Sequence, residues 1–410
     1  MYDSFFLQTC AIRGMTAGPV GPFLHRYVWF LEQRRYTANT IRCSLHAACV
    51  FSRWLGRRRI PLDALSEEVL ANYRDPFRRK KKKPLLPTKV TSLPTLLAWL
   101  RGQGVVPPAA RADETEQEKW LTRFDNHLAA VHGISDSTRS KYIACATRFV
   151  ANVFGNRAPD WDALTANSIR QFVITDIRQH HAEQTVCALR ATLRFLITQG
   201  CIPAHLLGAV PSLPRFRPDG IPHHLSEEEV RRVIAVCCDK TALGLRDHTM
   251  ITLLAHMGLR AGEVARLGLD DIDWTEGRLI IRAGKTKRER VLPLPNDIGR
   301  CIVRYLKRAR PLSDHRSLFI RHRAPFTPLT PFTVSWIAGC RLKQAGIQAV
   351  RFGSHIFRHS AATQMVRRGA SFKEVADILG HQRLQTTNIY AKLDLANLQQ
   401  VALPWPGGEQ

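Results

Sequence analysis

Two stretches of this chain, 96 residues apart, repeat one structural pattern. Residues 96–107 read LLAWLRGQGVVP and residues 192–203 read TLRFLITQGCIP. In each, apolar positions at helical spacing run into a glycine (Gly104, Gly200), and a proline follows three residues later (Pro107, Pro203). Glycine closes a helix because it enters the left-handed region without a Cβ penalty, and proline cannot continue the helix. Upstream, Thr40-Ile41-Arg42 with Phe51 to Gly56 echoes Thr138-Arg139 with Phe149 to Gly155 at nearly the same offset. The repeat confines the N-terminal half to two small helical units, each burying one apolar face. Ile143, Ala146, Phe149, Val150 and Val153 form such a face. The competing reading is a chance likeness between two glycine-capped amphipathic helices.

These signals divide the chain. Residues 1–108 form the first unit, interrupted by Arg78-Arg79-Lys80-Lys81-Lys82-Lys83-Pro84, which is either a solvated loop or a phosphate-contacting one. Residues 104–118 are a linker candidate, and residues 115–207 form the second unit. Over 208–224, Pro211, Pro214, Pro218, Gly220 and Pro222 predict an extended, semi-rigid connector. Ser226 with Glu229 is then a capping box opening a new domain over 225–395. Its pattern predicts helices over 331–345, 358–368 and 372–379, the last capped by Gly380. Two short apolar runs, 278–282 and 290–294, flank Gly284-Lys285-Thr286-Lys287-Arg288-Glu289 and predict a β-hairpin with a basic turn. The expected class is mainly α with a small β-hairpin or sheet (α+β), followed by a tail over 396–410.

Charge narrows the partners. Sixty Lys and Arg stand against 34 Asp and Glu, a formal net charge of +26. Such a field favours a polyanion and salt-dependent binding, with nucleic acid ahead of an acidic membrane surface. No apolar stretch approaches the roughly 18 residues of a membrane span, and the N-terminus around Cys10, Arg13 and Met15 lacks a signal-peptide pattern. A cytoplasmic protein is the expectation. The ten cysteines show no Cys-x-x-Cys spacing and read as small buried hydrophobes.

The last third carries the chemistry. Phosphodiester transfer without a metal needs cations to neutralise the transition state, a nucleophile in line, and an acid for the leaving 5′ oxygen. Arginine suits the first task because its fork matches two phosphate oxygens. Arg260 follows Gly258-Leu259 near the end of an apolar helix. Arg358 stands three residues after His355, so both share a helix face. Lys285 sits at the hairpin tip, within reach of a groove or a proton acceptor. Tyr390 stands nine residues after His381, in a region rich in cations, and is a candidate nucleophile. Each residue alone has a blander reading. A single arginine is ordinarily a surface group, His355 a structural histidine, and Tyr390 one of seven tyrosines. His355 and His359 have metal-ligand spacing, but Ile356 breaks the His-Glu-x-x-His pattern, so no metal site and no cofactor is expected.

Taken in order, the segments Ala255-His256-Met257-Gly258-Leu259-Arg260-Ala261-Gly262-Glu263, Gly284 to Arg290, Ser354 to His359, and Leu379-Gly380-His381 through Tyr390 resemble the tyrosine recombinase (phage integrase-like) family. The resemblance covers roughly residues 224–395. It implies that Arg260 and Arg358 clamp the scissile phosphate and that Lys285 is the general acid. His355 assists proton movement, His381 hydrogen-bonds the phosphate, and Tyr390 attacks to leave a 3′-phosphotyrosyl bond. Glu263 supports the site, and neither ATP nor metal is needed.

The resemblance also implies a helical, SAM-like core-binding domain over 115–207, with 1–108 as a second copy. Arg78, Arg79, Lys80, Lys81, Lys82, Lys83, Arg139, Lys141, Lys287 and Arg288 are the DNA-binding candidates. The implied partner is double-stranded DNA with inverted-repeat sites. The implied assembly is a homo-tetramer on two sites, exchanging strands through a Holliday junction, or a hetero-assembly with related recombinases. Integration, excision or transposition of a mobile element is the expected role. A type IB topoisomerase-like relaxing enzyme and a non-catalytic accessory DNA-binding protein are the alternatives.

In the tail, Leu393, Leu395, Leu398, Val401 and Leu403 form an apolar helical face ended by Pro404-Trp405-Pro406. Such a helix docks either on its own domain or on a neighbouring protomer. Truncation after Leu393 is expected to weaken tetramer assembly and recombination more than DNA binding, as read by native gel and recombination assay. Unchanged recombination would count against docking in trans.

Overall fold

The computed structural model describes residues 18–79, 92–108, 115–130, 134–155, 157–213, 223–237, 240–283, 289–348 and 353–381. Lys80 to Lys83, Lys285, Lys287, Arg288, Tyr390 and the 396–410 tail lie outside them, and so do the side chains of Arg78 and Arg79. The chain divides into two compact units, one made of residues 1–108 and 219–410 and the other of 109–218. Separate apolar cores lie within Val20–Val106, Trp120–Val210 and Leu225–Phe357.

The first core is built by α1 (Leu24–Gln33), α2 (Ala38–Arg57), α3 (Glu67–Arg79) and α4 (Leu93–Gly102). The second is built by α5 (Glu116–Ala130), α6 (Asp136–Phe154), α7 (Ala166–Asp176) and α8 (Ala182–Thr198). The two sets agree in detail. At the N-terminus of α2, the Thr37 and Thr40 hydroxyls pair at 2.8 Å. At the N-terminus of α6, Ser135 and Thr138 pair at 3.1 Å. On α2 and α3, Phe51 meets Tyr73 edge-on with centroids 4.9 Å apart. On α6 and α7, Phe149 meets Phe172 the same way at 5.1 Å. Beyond α4 and α8, Gly104 and Gly200 both have φ of 70°. There the Val105 and Cys201 amides close onto the carbonyls of Leu100 and Leu196 at 3.1 and 2.9 Å. A left-handed glycine with a six-to-one hydrogen bond is what stops each helix. Ala209 and Val210, at the start of the proline-rich segment read as a connector, are buried in the second core.

The C-terminal domain opens with α9 (Glu227–Ala235), whose Ser226–Glu229 capping box forms in both directions. Then come α10 (Ala242–His256), α11 (Ala261–Arg266), a three-stranded antiparallel sheet, α12 (Asn296–Arg308), α13 (Pro331–Gln344), α14 (His355–Arg367) and α15 (Phe372–Leu379). The sheet runs β1 (Ile272–Asp273), β2 (Arg278–Ile281), β3 (Arg290–Pro293), with Leu279 opposite Leu292 and Ile281 opposite Arg290. The expected hairpin is therefore present. Helix α14 begins at His355, three residues earlier than expected, and its first turn buries Ile356 and Phe357. Cys49, Cys145 and Cys237 are buried, whereas Cys187 and Cys340 are exposed, so burial accounts for only some of the cysteines. No described helix is long and apolar enough to cross a membrane.

Phe149 is fully buried and packs edge-on to Phe172. Phe149→Ala should cost about 3–5 kcal/mol, through lost transfer free energy and a residual cavity, measured by urea denaturation of the full chain.

Candidate active site

The site is assembled at the C-terminus of α15. Gly380 caps this helix in the left-handed conformation, and His381 follows at once, its amide returning to the Ala376 carbonyl at 2.8 Å. Two arginines reach consecutive carbonyls of this cap. The Nη2 group of Arg358 donates to the Leu379 oxygen, and Nη2 of Arg260 donates to the Gly380 oxygen at 3.1 Å. The second hand of Arg358, Nη1, holds the Gly258 carbonyl at 2.8 Å. Arg260, Arg358 and His381, scattered over 122 positions of sequence, are thus brought together on one short turn.

Local geometry explains the glycines. Gly258 and Gly380 have φ of 60° and 63°. A Cβ on Gly258 would lie 2.5 Å from the Leu379 side chain, and one on Gly380 would lie 2.6 Å from the Arg290 guanidinium. Both positions demand close approach as well as left-handed backbone.

Arg260 occupies the N-cap of α11, with its side chain one-quarter exposed. Glu263 anchors it twice, taking the Arg260 amide on Oε2 and its Nη1 on Oε1, both at 2.9 Å. Arg290 on β3 completes the set, donating to Oε1 at 3.1 Å and Oε2 at 2.9 Å. Burial alone would raise the Glu263 carboxyl, but the hydrogen bonds and charge of Arg290, joined by Arg260, outweigh it and hold the group at about 2. Arg358 is buried, whereas His355, on the same first turn of α14, is exposed.

Electrostatically the cluster is a focus of positive charge. Burial, then the charges of Arg358, Arg260, Arg290 and His359, push the His381 imidazole down to about 4. His359 is lowered as well, by burial first and then by His355, Arg358 and His224. Cations crowded in a half-buried site favour an anion, and a guanidinium supplies five donors in a fork suited to phosphate. Arg260 commits two of its nitrogens to Glu263 and Gly380 among the described residues.

Lys285 and Tyr390 lie outside the described residues, so the structure gathers Arg260, Arg358, His381 and Glu263 without them. Arg290 is the residue that the sequence reading left without a role. Its signal was present: it sits at the last paired position of the predicted hairpin, where an inward-facing side chain is fixed by the ladder. Elsewhere, Arg139 is held in ion pairs with Asp125 and Asp136, at 2.9 and 3.2 Å. Lys141 borders a pocket of about 280 Å³ with Arg148, His180 and His181, and Asp176 fixes Arg148 at 2.7 Å.

Two half-buried arginines sharing a saturated carboxylate, and a buried third on the same turn, form an electropositive seat suited to an anion such as phosphate. The model of the phage integrase family matches residues 223–396. The protein named "Putative integrase/recombinase y4rA" in Sinorhizobium fredii is 34% identical over 399 residues, 96% of each chain. "Tyrosine recombinase XerC 2" of Ralstonia nicotianae is 31% identical over 264 residues, 63% of this chain and 70% of the relative. Among solved structures, XerH site-specific recombinase bound to a palindromic difH substrate shares the fold. Its TM-score is 0.55 at 17% identity, over 72% of this chain and 97% of that one. The chain belongs to the phage integrase family, the tyrosine recombinases. It is an enzyme of site-specific DNA recombination.

With a folded-state value near 4 and an ordinary value near 6.5, His381 is neutral at pH 7. The unfolded chain takes up a proton that the folded site refuses. The stabilising contribution is therefore complete above about pH 6.5 and is lost as pH falls toward 4. Histidine-edited NMR of the DNA-free protein should show this titration near 4, and bound phosphodiester should move it upward. A midpoint at 6.5 in the free protein would contradict the clustering of charge.

Proposed function

We propose that Tyr390 attacks a DNA phosphodiester seated between Arg260 and Arg358, forming a 3′-phosphotyrosyl bond and releasing a free 5′ hydroxyl. The observation that carries this reading is the clamp on α15, where two guanidiniums reach adjacent carbonyls and His381 is the next residue. In the transition state Arg260 and Arg358 neutralise charge on the non-bridging oxygens, and His381 hydrogen-bonds one of them. Lys285 donates the proton to the leaving 5′ oxygen, while His355 assists proton movement. The Tyr390 proton passes to solvent as its O–P bond forms and the P–O5′ bond breaks. The phosphotyrosyl linkage retains the energy of the cleaved bond, so the reverse attack by a 5′ hydroxyl reseals DNA without ATP.

The substrate on this reading is duplex DNA carrying inverted-repeat sites. The palindromic substrate named for XerH supports it. So does the net charge of +26. A tetramer of this chain on two sites, or a mixed assembly with related recombinases, would exchange strands in two steps through a Holliday junction. The expected biological role is integration, excision or transposition of a mobile element. Residues 115–207 act as the core-binding domain and 1–108 as a duplicate of it, the matching ring pairs and glycine caps being the support. Lys141 and the basic run at 78–83 are then backbone contacts that position the protein without reading sequence. Arg139 joins them only if DNA competes with its two carboxylate partners.

The test is capture of covalent adducts in cells carrying the DNA that flanks the gene. Wild type should yield protein on 3′ ends at discrete sites, and Tyr390→Phe none, with DNA affinity within about twofold of wild type because one oxygen is removed. Adducts from Tyr390→Phe would mean another nucleophile. Adducts scattered over the DNA would mean relaxation rather than site-specific exchange.

A further inference from the structure

We propose that Arg290 is a positioning residue of the cleavage step, holding Glu263 and, through Glu263, the Arg260 guanidinium at the phosphate seat. The inference rests on the reading of the site as a phosphotyrosyl-forming centre and adds a residue to it.

Four donors fall on one carboxylate, two per oxygen. Oε1 takes Nη1 of Arg260 and Nη1 of Arg290, and Oε2 takes the Arg260 amide and Nη2 of Arg290. Each arginine thus spans both oxygens, Arg260 through its amide and Nη1 and Arg290 through the two arms of its fork, so Arg290 is the hold on the carboxylate plane that does not depend on the Arg260 guanidinium itself. Arg290 is itself fixed at its backbone by the ladder, opposite Ile281, and its side chain is only 12% exposed. It also lies against Gly380, the residue whose carbonyl is Arg260's other partner. Both restraints on the Arg260 side chain thus meet at Arg290, one by hydrogen bonds and the other by contact.

A purely stabilising role fits this arrangement less well. Burying an ion pair costs desolvation that its attraction only partly offsets, and an apolar pair of equal volume is often as stable. The Nε of Arg290 is buried with no hydrogen-bond partner among the described residues, which is a further cost. What the arrangement supplies is orientation. A lysine in its place would present one point of charge and could not span both oxygens. Misplacement of a catalytic group by about 1 Å costs on the order of 10²-fold in rate.

The experiment uses full-length protein and a nicked duplex derived from the wild-type adducts, comparing wild type, R290Q, R290K, E263Q, R290Q/E263Q and Y390F. Adduct formation in a single turnover is read beside DNA dissociation constant and thermal melting. R290Q should form adduct on the order of 10²-fold more slowly, with the dissociation constant within about twofold. R290K, which keeps the charge and loses the fork, should fall between R290Q and wild type. The double variant should be within about threefold of E263Q alone, because Arg290 acts through that carboxylate and the two effects do not add. A rate for R290Q near wild type, a loss confined to DNA binding, or multiplying effects in the double variant would overturn the inference. Should R290Q fail to fold, R290K decides: slowed adduct formation with unchanged melting supports the role, and a wild-type rate overturns it. Adduct formation by Y390F would instead bring down the tyrosine reading, independently of Arg290.

Discussion

The carboxylate of Glu263 is the point on which the C-terminal domain's site depends. It receives four hydrogen bonds from Arg260 and Arg290, which reach it from the N-cap of α11 and from strand β3. A buried carboxylate left without partners would take up a proton or unfold its surroundings. With four donors it stays ionised far below neutral pH. The bond therefore does two things at once. It neutralises part of a dense cluster of cations, which lets Arg260, Arg290 and Arg358 share one small volume, and it sets the direction in which Arg260 points.

A second constraint is backbone rather than charge. The carbonyls that hold Arg260 and Arg358 belong to Gly380, Leu379 and Gly258, at places where the chain turns in the left-handed region. The last turn of a helix has carbonyls without intrahelical partners, and here arginines from elsewhere satisfy them. Helix closure and site assembly are consequently one event, and the packing of Leu379 against Gly258 leaves no room for a side chain larger than hydrogen. Arg260 and Arg358 are thus held by the protein's own backbone carbonyls, a preorganisation of the kind that electrostatic catalysis uses.

The N-terminal half shows the same economy of means in duplicate. Two helical units close with left-handed glycines of equal φ and pack one aromatic pair edge-on between their second and third helices. The units agree at three places: the hydroxyl pair at the start of the long helix, the ring pair within the core, and the terminal cap.

Much of this was written in local sequence. Gly104, Gly200 and Gly380 announce their helix ends, Ser226 and Glu229 their capping box, and the hairpin its strands, because caps and turns depend on residues within a few positions of one another. Arg260, Arg358, His381 and Glu263 were legible through the resemblance of the segments that carry them. Other features were decided only by the fold. The start of α14 at His355 was set by the burial of Ile356 and Phe357 in its first turn. Val210 joined a core although prolines surround it. His355 stands exposed while Arg358, on the same turn, is buried. Arg290 read simply as one more cation in a basic hairpin, and its role came from a carboxylate 27 residues away. The sequence by itself determined the elements, their ends and the kinds of groups available, since these follow from short-range chemistry. Only tertiary packing decided which cations share a partner, because burial and charge pairing are properties of neighbours that the linear order does not place side by side.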